Sequence, residues 1–175
     1  MPRVAADLHL HSHYAGGVSK EMTVENVATW AQRKGIDLLA TGDCLQAEWL
    51  GELERSLCVA EPGLYKLRPD LDAKISKALP GKLQRSLRYV VSTEVCCAPP
   101  GTPSLGGLHH LIYFASLESA RRFRERILSF GDFNDGRPTL TLNSRQLLEA
   151  VLAHGEDSHL APAHIFNPCI RRSER

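Results

Sequence analysis

The chain is missing most of the features that would commit a sequence to an extreme class. Its five cysteines, Cys44, Cys58, Cys96, Cys97 and Cys169, have no paired CxxC spacing and are odd in number. That excludes a structural zinc ribbon and a disulfide framework, and reads as reduced thiols in an intracellular, cytoplasmic protein. No continuous apolar run is long enough to span a bilayer, so no membrane partner is expected. Asp7, His9, His11 and His13 interrupt any apolar core near the start, which argues against a secretory leader there. Neither sign of charge dominates: 21 Lys and Arg against 20 Asp and Glu leave a formal net charge of +1. Any nucleic-acid surface must therefore be a local patch. A Walker phosphate loop, a dinucleotide glycine pattern and a convincing Ser-His-Asp set are also missing, and Gly16-Gly17 reads as a flexible loop. There is no internal repeat and no low-complexity segment.

What remains is an ordinary globular composition, 43% hydrophobic and 23% charged, in 175 residues. That length fits one domain, or a domain with an extension. Residues 4–10 read as a short strand running into His9-Ser12. Thr23 is placed to cap a helix over 24–34, whose Val24, Val27, Ala28 and Ala31 form an apolar stripe, and Gly35 is a suitable terminator. A compact strand over 36–40 leads into the turn Thr41-Gly42-Asp43. Strand, helix and strand with short joints is the βα-repeat signature.

Further along, 48–57 suggests a helix. The stretch 60–87 is irregular, and Lys66, Arg68, Lys74, Lys77, Lys82, Arg85 and Arg88 form a locally basic insertion there and just beyond. It reads either as a solvated surface or as a contact for nucleic-acid phosphate. Strands are expected over 89–95, 110–115 and 160–164, and helices over 117–130 and after a cap at Asn143 or Ser144. Five candidate strands are too few for a closed α/β barrel. The expected fold is therefore an α/β open sheet or an incomplete barrel over residues 1–168, with a charged tail over 169–175.

Histidine and carboxylate recur where these strands end. In His9-x-His11 the two imidazoles share a face, because strand side chains alternate. Asp7 has the same parity and could orient a ligand ring. Asp43 directly follows an apolar strand, and Glu94 closes the run Tyr89-Val90-Val91-Ser92-Thr93-Glu94, where an ionised carboxylate needs a cation. His109-His110 opens the next strand, and only one of two adjacent residues can readily face a common cavity; His110 is taken as that one. His164 closes the last strand. Each alone has a bland reading as a turn former or a satisfied core histidine. Together, five strand ends bearing such ligands point to one rim, where active sites of barrels and open parallel sheets lie. Imidazole mixed with carboxylate suits Zn²⁺, Mn²⁺ or Fe²⁺ better than Ca²⁺, and Cys44 remains open as a substitute ligand. Such ions acidify a bound water and neutralise phosphoryl oxygens, so a phosphoester hydrolase needs no protein nucleophile.

The motif Asp7-Leu8-His9-Leu10-His11-Ser12 resembles the first motif of the PHP superfamily, the polymerase and histidinol phosphatase domains. The ordered series Ser19-Lys20-Glu21-Met22, Thr41-Gly42-Asp43, Glu61-Pro62-Gly63-Leu64-Tyr65, Ser92-Thr93-Glu94-Val95, His109-His110, Asp135-Gly136-Arg137-Pro138 and Pro162-Ala163-His164 is similar to the endonuclease Q branch. The resemblance runs to about Pro168. It implies a distorted (β/α)₇ barrel holding up to three divalent ions, Mg²⁺ among the possible metals. By the same resemblance His9 and His11 bind one ion, Glu94 bridges to a second held by His110, and His164 serves the third. Asp43 matches the aspartate after the second strand, and with Glu94 it is the expected catalytic carboxylate. The implied reaction is cleavage of DNA on the 5′ side of deaminated bases such as uracil and hypoxanthine, with the damaged base turned out of the stack.

Three departures accompany the resemblance. Gln46 stands where a histidine is expected shortly after Asp43, and the loop Tyr14-Ala15-Gly16-Gly17-Val18 carries no arginine. After Pro168 the sequence offers Cys169-Ile170 and a charged tail instead of a further ligand segment, as if the domain were truncated. Two other readings stay open. One is a phosphomonoesterase of the histidinol-phosphate or nucleotide type. The other is a catalytically impaired DNA-binding or assembly domain whose barrel a partner chain completes.

Overall fold

The computed structural model describes residues 3–101, 107–155 and 157–166; the tail expected over 169–175 lies outside them. The βα reading of the first half holds. Strand β1 (Ala6–Asp7) leads through a loop to helix α1 (Val24–Lys34), then β2 (Leu38–Ala40) and α2 (Ala47–Ser56). Helix α1 starts where Thr23 accepts a hydrogen bond from the Asn26 amide. It stops at Gly35, whose φ of 75° lets its N–H cap Ala31 and Gln32. Gln46, at the position where a histidine was expected, instead caps α2: its side chain accepts from Trp49 N–H at 2.6 Å.

The basic insertion proves to be ordered. A hairpin, β3 (Leu57–Glu61) with β4 (Leu64–Leu67), turns at Gly63 and is followed by α3 (Pro69–Ala78). Several of its cations have acidic partners: Lys74 with Glu25, Arg85 with Asp37, and Arg88 with Glu61. That pairing favours the solvated-surface reading over a phosphate track.

The rest of the chain builds on β5 (Arg88–Cys97), the longest strand. After it come β6 (Leu108–Phe114), α4 (Leu117–Ile127), a short ribbon of β7 (Gly131–Asp132) and β8 (Thr139–Leu140), α5 (Ser144–His154) and β9 (His159–Pro162). Strands β1, β2 and β5 run parallel, and β8 lies parallel to the far end of β5. Strand β6 departs from a simple βα repeat: it is antiparallel to β5, and β9 is antiparallel to β6. Strand β9 therefore runs in the same direction as β5. This reversal still delivers ligands to one place. The C-terminal ends of β1, β2, β5 and β9 and the N-terminal end of β6 gather at the same rim.

Among the described residues β1 pairs only with β2 and β9 only with β6, so the curled sheet stays open. This is an α/β fold with the form of an incomplete (β/α)₇ barrel. Helices and sheet share one apolar core. Ala28, Trp49, Leu53, Phe123, Ile127 and Leu147 from the helices meet Leu39, Val91, Ile112 and Phe114 from the strands. Each fully buried Leu, Ile or Phe contributes about 1.5–3 kcal/mol. The rim is carried on this rigid base.

Two loops of the rim approach closely. A Cβ on Gly42, whose φ is 62°, would stand 2.3 Å from the Leu10 carbonyl oxygen. Glycine there lets the loop after β2 pack on the loop after β1, which brings Asp43 to His11 and Ser12.

Candidate metal centre

Glu94 lies within β5, flanked by the fully buried Thr93 and Val95, and is itself 2% exposed. A carboxylate so placed is costly without cationic or hydrogen-bonding partners. Among the described residues it has four, all histidines. Its Oε1 lies 2.9 Å from His164 Nε2, 3.1 Å from His109 Nδ1 and 3.4 Å from His9 Nε2. Its Oε2 lies 3.1 Å from His11 Nε2. The His9 and His164 rings stack with centroids 5.1 Å apart, and His109 meets His164 edge-on at 5.3 Å. The imidazoles form a partly open mouth: the His9, His109 and His164 side chains keep 30%, 25% and 31% exposure over the buried carboxylate.

The register of β5 with β6 decides which histidine of the adjacent pair joins this group. Glu94 and Cys96 stand opposite Leu111 and His109, while Val95 stands opposite His110. Directly opposed residues share a face. His109 therefore points to Glu94, and His110 points to the other side of the sheet, where its Nε2 meets Ser144 Oγ at 2.8 Å at the start of α5. The expectation placed His110 in the mouth; the structure brings His109 there instead.

Asp43 is also elsewhere than expected. It is fully buried, and both of its oxygens are engaged on the far side of His11. Oδ1 faces His11 Nδ1 at 2.9 Å, and Oδ2 accepts from Ser12 N–H at 2.6 Å and Ser12 Oγ at 2.7 Å. An ionised carboxylate can only accept, so the proton between them sits on His11 Nδ1 and leaves Nε2 to face the mouth. A carboxylate placed behind an imidazole in this way can orient a metal-binding ring and raise its basicity. Among the described residues Asp7 meets no imidazole ring; its carboxylate accepts from the His9 backbone N–H at 3.3 Å. Cys44 is fully buried among core residues, and burial, then the neighbouring Asp43, pushes its thiol well up. Two site residues, Asp43 at φ 49° and His164 at φ 42°, adopt the left-handed conformation that non-glycine residues rarely take.

The donor set fits a divalent ion. One ligand atom each from His9, Glu94 and His164 lie within 4.8 Å of one another, so these three residues can coordinate one ion. Two nitrogens with one carboxylate oxygen is a donor set known for Zn²⁺ and also suited to Fe²⁺ or Mn²⁺.

The electrostatics without metal are those of a proton-held cluster. Burial alone would raise the Glu94 carboxyl, but hydrogen bonds from His109, His11 and His9 hold it well below the usual range. Burial opposes charge on His11, yet Asp43 and Glu94 push it up to about 9. The Cys96 thiol and Glu94 push His109 up to about 9 as well.

A raised histidine stabilises the fold fully below its ordinary value of 6.5 and loses that contribution as pH rises through 9. Glu94, lowered from 4.5, contributes above 4.5 and loses its effect only on strong acidification. The metal-free protein should therefore lose several degrees of melting temperature between about pH 6.5 and 9. Divalent metal should restore more stability at the alkaline end, because it displaces the same protons. Melting curves in chelator and in Mn²⁺ across that range check this; a flat chelator profile contradicts it.

No family model matches the chain. Over 94% of its length it superposes on the lesion-specific endonuclease Q of Pyrococcus furiosus with a TM-score of 0.74 and 29% identity, spanning 35% of that protein. The same TM-score, identity and coverage of this chain hold for an endonuclease Q in complex with a 27-mer duplex carrying an abasic lesion at the active site, of which the chain spans 36%. An uncharacterized protein of Methanocaldococcus jannaschii is 28% identical over 164 residues, which is 93% of this chain and 16% of that protein. The chain thus corresponds to about a third of the solved endonucleases. Sequence and fold together make it structurally homologous to that part of endonuclease Q. Among the described residues no helix is long and apolar enough to cross a membrane.

Proposed function

We propose, from this homology, that the chain is the metal-binding domain of a divalent-metal-dependent phosphodiesterase that cuts DNA on the 5′ side of deaminated bases such as uracil and hypoxanthine. The observation that carries the reading is the convergence of His9, His11, His109 and His164 on the single buried carboxylate of Glu94. Surface histidines have no reason to gather in this way from three segments of the chain. A bound divalent ion supplies Lewis-acid stabilisation of phosphoryl oxygens and acidifies water at neutral pH.

The chain's own residues hold and tune that chemistry. Glu94 balances cationic charge at the floor of the mouth. Its Oε1 faces three histidines and its Oε2 faces His11, so both oxygens would be available to hold metal alongside those rings. Asp43 fixes His11 with Nε2 toward the site. In this reading Glu94 is a catalytic-site ligand and Asp43 a positioning residue. The partly exposed histidines leave an open rim, which suits an extended polymer better than the closed pocket a small phosphomonoester needs.

The test is incision of end-labelled oligonucleotides, each with a single uracil or hypoxanthine, in Mn²⁺, Zn²⁺ or Mg²⁺. The expected product is a break 5′ to the lesion that chelator abolishes and undamaged DNA does not give. Hydrolysis of histidinol phosphate with no action on these oligonucleotides would replace the proposal with the monoesterase reading. Metal and DNA binding with no hydrolysis of either would replace it with the binding-domain reading.

A further inference from the structure

Asp135-Gly136-Arg137 lies far along the chain from the mouth's first ligands, yet it grips the loop that carries them. Gly16 N–H donates to Asp135 Oδ2 at 3.0 Å, and Arg137 Nη2 donates to the Gly16 carbonyl at 2.7 Å. Gly136 N–H donates to the Tyr14 carbonyl at 3.2 Å. Asp135 Oδ1 also accepts from Arg137 N–H at 2.8 Å, which stiffens the gripping turn itself. At its centre Gly136 is pressed against Asp43. A Cβ there would stand 2.5 Å from Asp43 Oδ2, 2.7 Å from its Cγ and 3.0 Å from the Ala15 amide nitrogen. Oδ2 is the oxygen that holds Ser12, and the same carboxylate holds His11. Three loops thus close on one carboxylate, and only a residue without a side chain fits between them.

We infer that Asp135, Gly136 and Arg137 form a clasp that positions Asp43 and, through it, the ring of the metal ligand His11. The inference rests on the metal-centre reading above, and it assigns these residues no contact with metal or substrate. The grip of Asp135 and Arg137 fixes the height of the Ser12–Gly16 segment. Gly136 then fixes the side of Asp43 from which Ser12 donates. With Ser12 fully buried and bonded to Oδ2, Oδ1 has one place to go, and His11 Nδ1 occupies it. A loosened clasp lets the carboxylate turn and frees the His11 ring to rotate.

The test uses the double variant Asp135→Ala/Arg137→Ala, which removes only exposed grip contacts, and Gly136→Ala, which drives a methyl group into Asp43. Two readouts separate positioning from folding. The first is the slowly exchanging His11 Nδ1 proton by NMR in metal-free protein, which exists only while the ring is locked on Asp43. The second is Mn²⁺ affinity by calorimetry. Both variants should lose that proton signal, and affinity should fall about 10-fold or more in Gly136→Ala. Retention of the signal and of wild-type affinity in the double variant overturns the inference, even where Gly136→Ala fails to fold. The NMR readout needs no metal, so a chain that binds none would sink the proposed function and still leave the clasp decided.

Discussion

Glu94→Gln should lower divalent-metal affinity by at least about 100-fold while leaving the fold in place. The side chains have the same shape, and residue 94 sits in the middle of the longest strand, so the ladder to β2, β6 and β8 has no reason to break. What changes is charge and acceptor capacity. The carboxylate receives four imidazoles on two oxygens; the amide has one oxygen, and its NH₂ group must face at least one of those rings. An ion brought to His9 and His164 would then lack the anion that offsets its positive charge in a half-buried site. A second consequence follows without any metal. Glu94 is among the groups that push His11 and His109 up to about 9, so the loss of stability between pH 6.5 and 9 should become shallower in the variant. Calorimetric titration with Mn²⁺ and melting curves across pH measure the two effects. Wild-type affinity and stoichiometry in Glu94→Gln would remove the basis of the proposed function.

The elements legible in the sequence were those whose cause is local. Helix α1 is set by the Thr23 cap, its stripe and Gly35; α5 by Asn143 with Gln146 in a reciprocal capping box; and β2 and β5 by compact apolar runs. The insertion was less legible because its signals are faint. Only Ile75 of α3 is buried, which leaves almost no apolar stripe, and β3 leaves Val59 exposed on a two-stranded hairpin. At the site, the histidine and carboxylate pattern revealed that a centre exists, but not which oxygen meets which nitrogen. The choice between His109 and His110 depends on a one-residue step in the β5–β6 register, which neither strand encodes by itself. The antiparallel pairing was itself unexpected from a βα repeat. One signal was available: Ser12 follows the His9-x-His11 pair directly, and a small hydroxyl there is suited to anchoring a carboxylate behind the ligand.

Asp43 is where this difference has its largest measurable consequence, and Asp43→Asn separates the two roles open to that residue. Asparagine tolerates the left-handed backbone at φ 49°, so the substitution changes the side chain's chemistry without straining the chain. Three donors converge on the wild-type carboxylate: His11 Nδ1, Ser12 N–H and Ser12 Oγ. The amide cannot accept from all of them. If its NH₂ faces Ser12, it opposes a backbone N–H that cannot move away. If it faces His11, the ring must accept at Nδ1 and carry its proton on Nε2, which removes the lone pair aimed at the mouth. Either way a buried polar group is left unsatisfied, at a cost of about 1–3 kcal/mol. Metal affinity should fall by about 10- to 100-fold, the range for losing an orienting partner of a ligand. The number of ions bound at saturation should not change if Asp43 acts from behind His11, where both of its oxygens are engaged by His11 and Ser12. A directly ligating Asp43 predicts the opposite pattern, with one fewer ion per chain at saturating metal. Metal analysis of Asp43→Asn after dialysis against excess Mn²⁺ reads that number. A lost ion would show that Asp43 leaves Ser12 and turns into the mouth when metal binds.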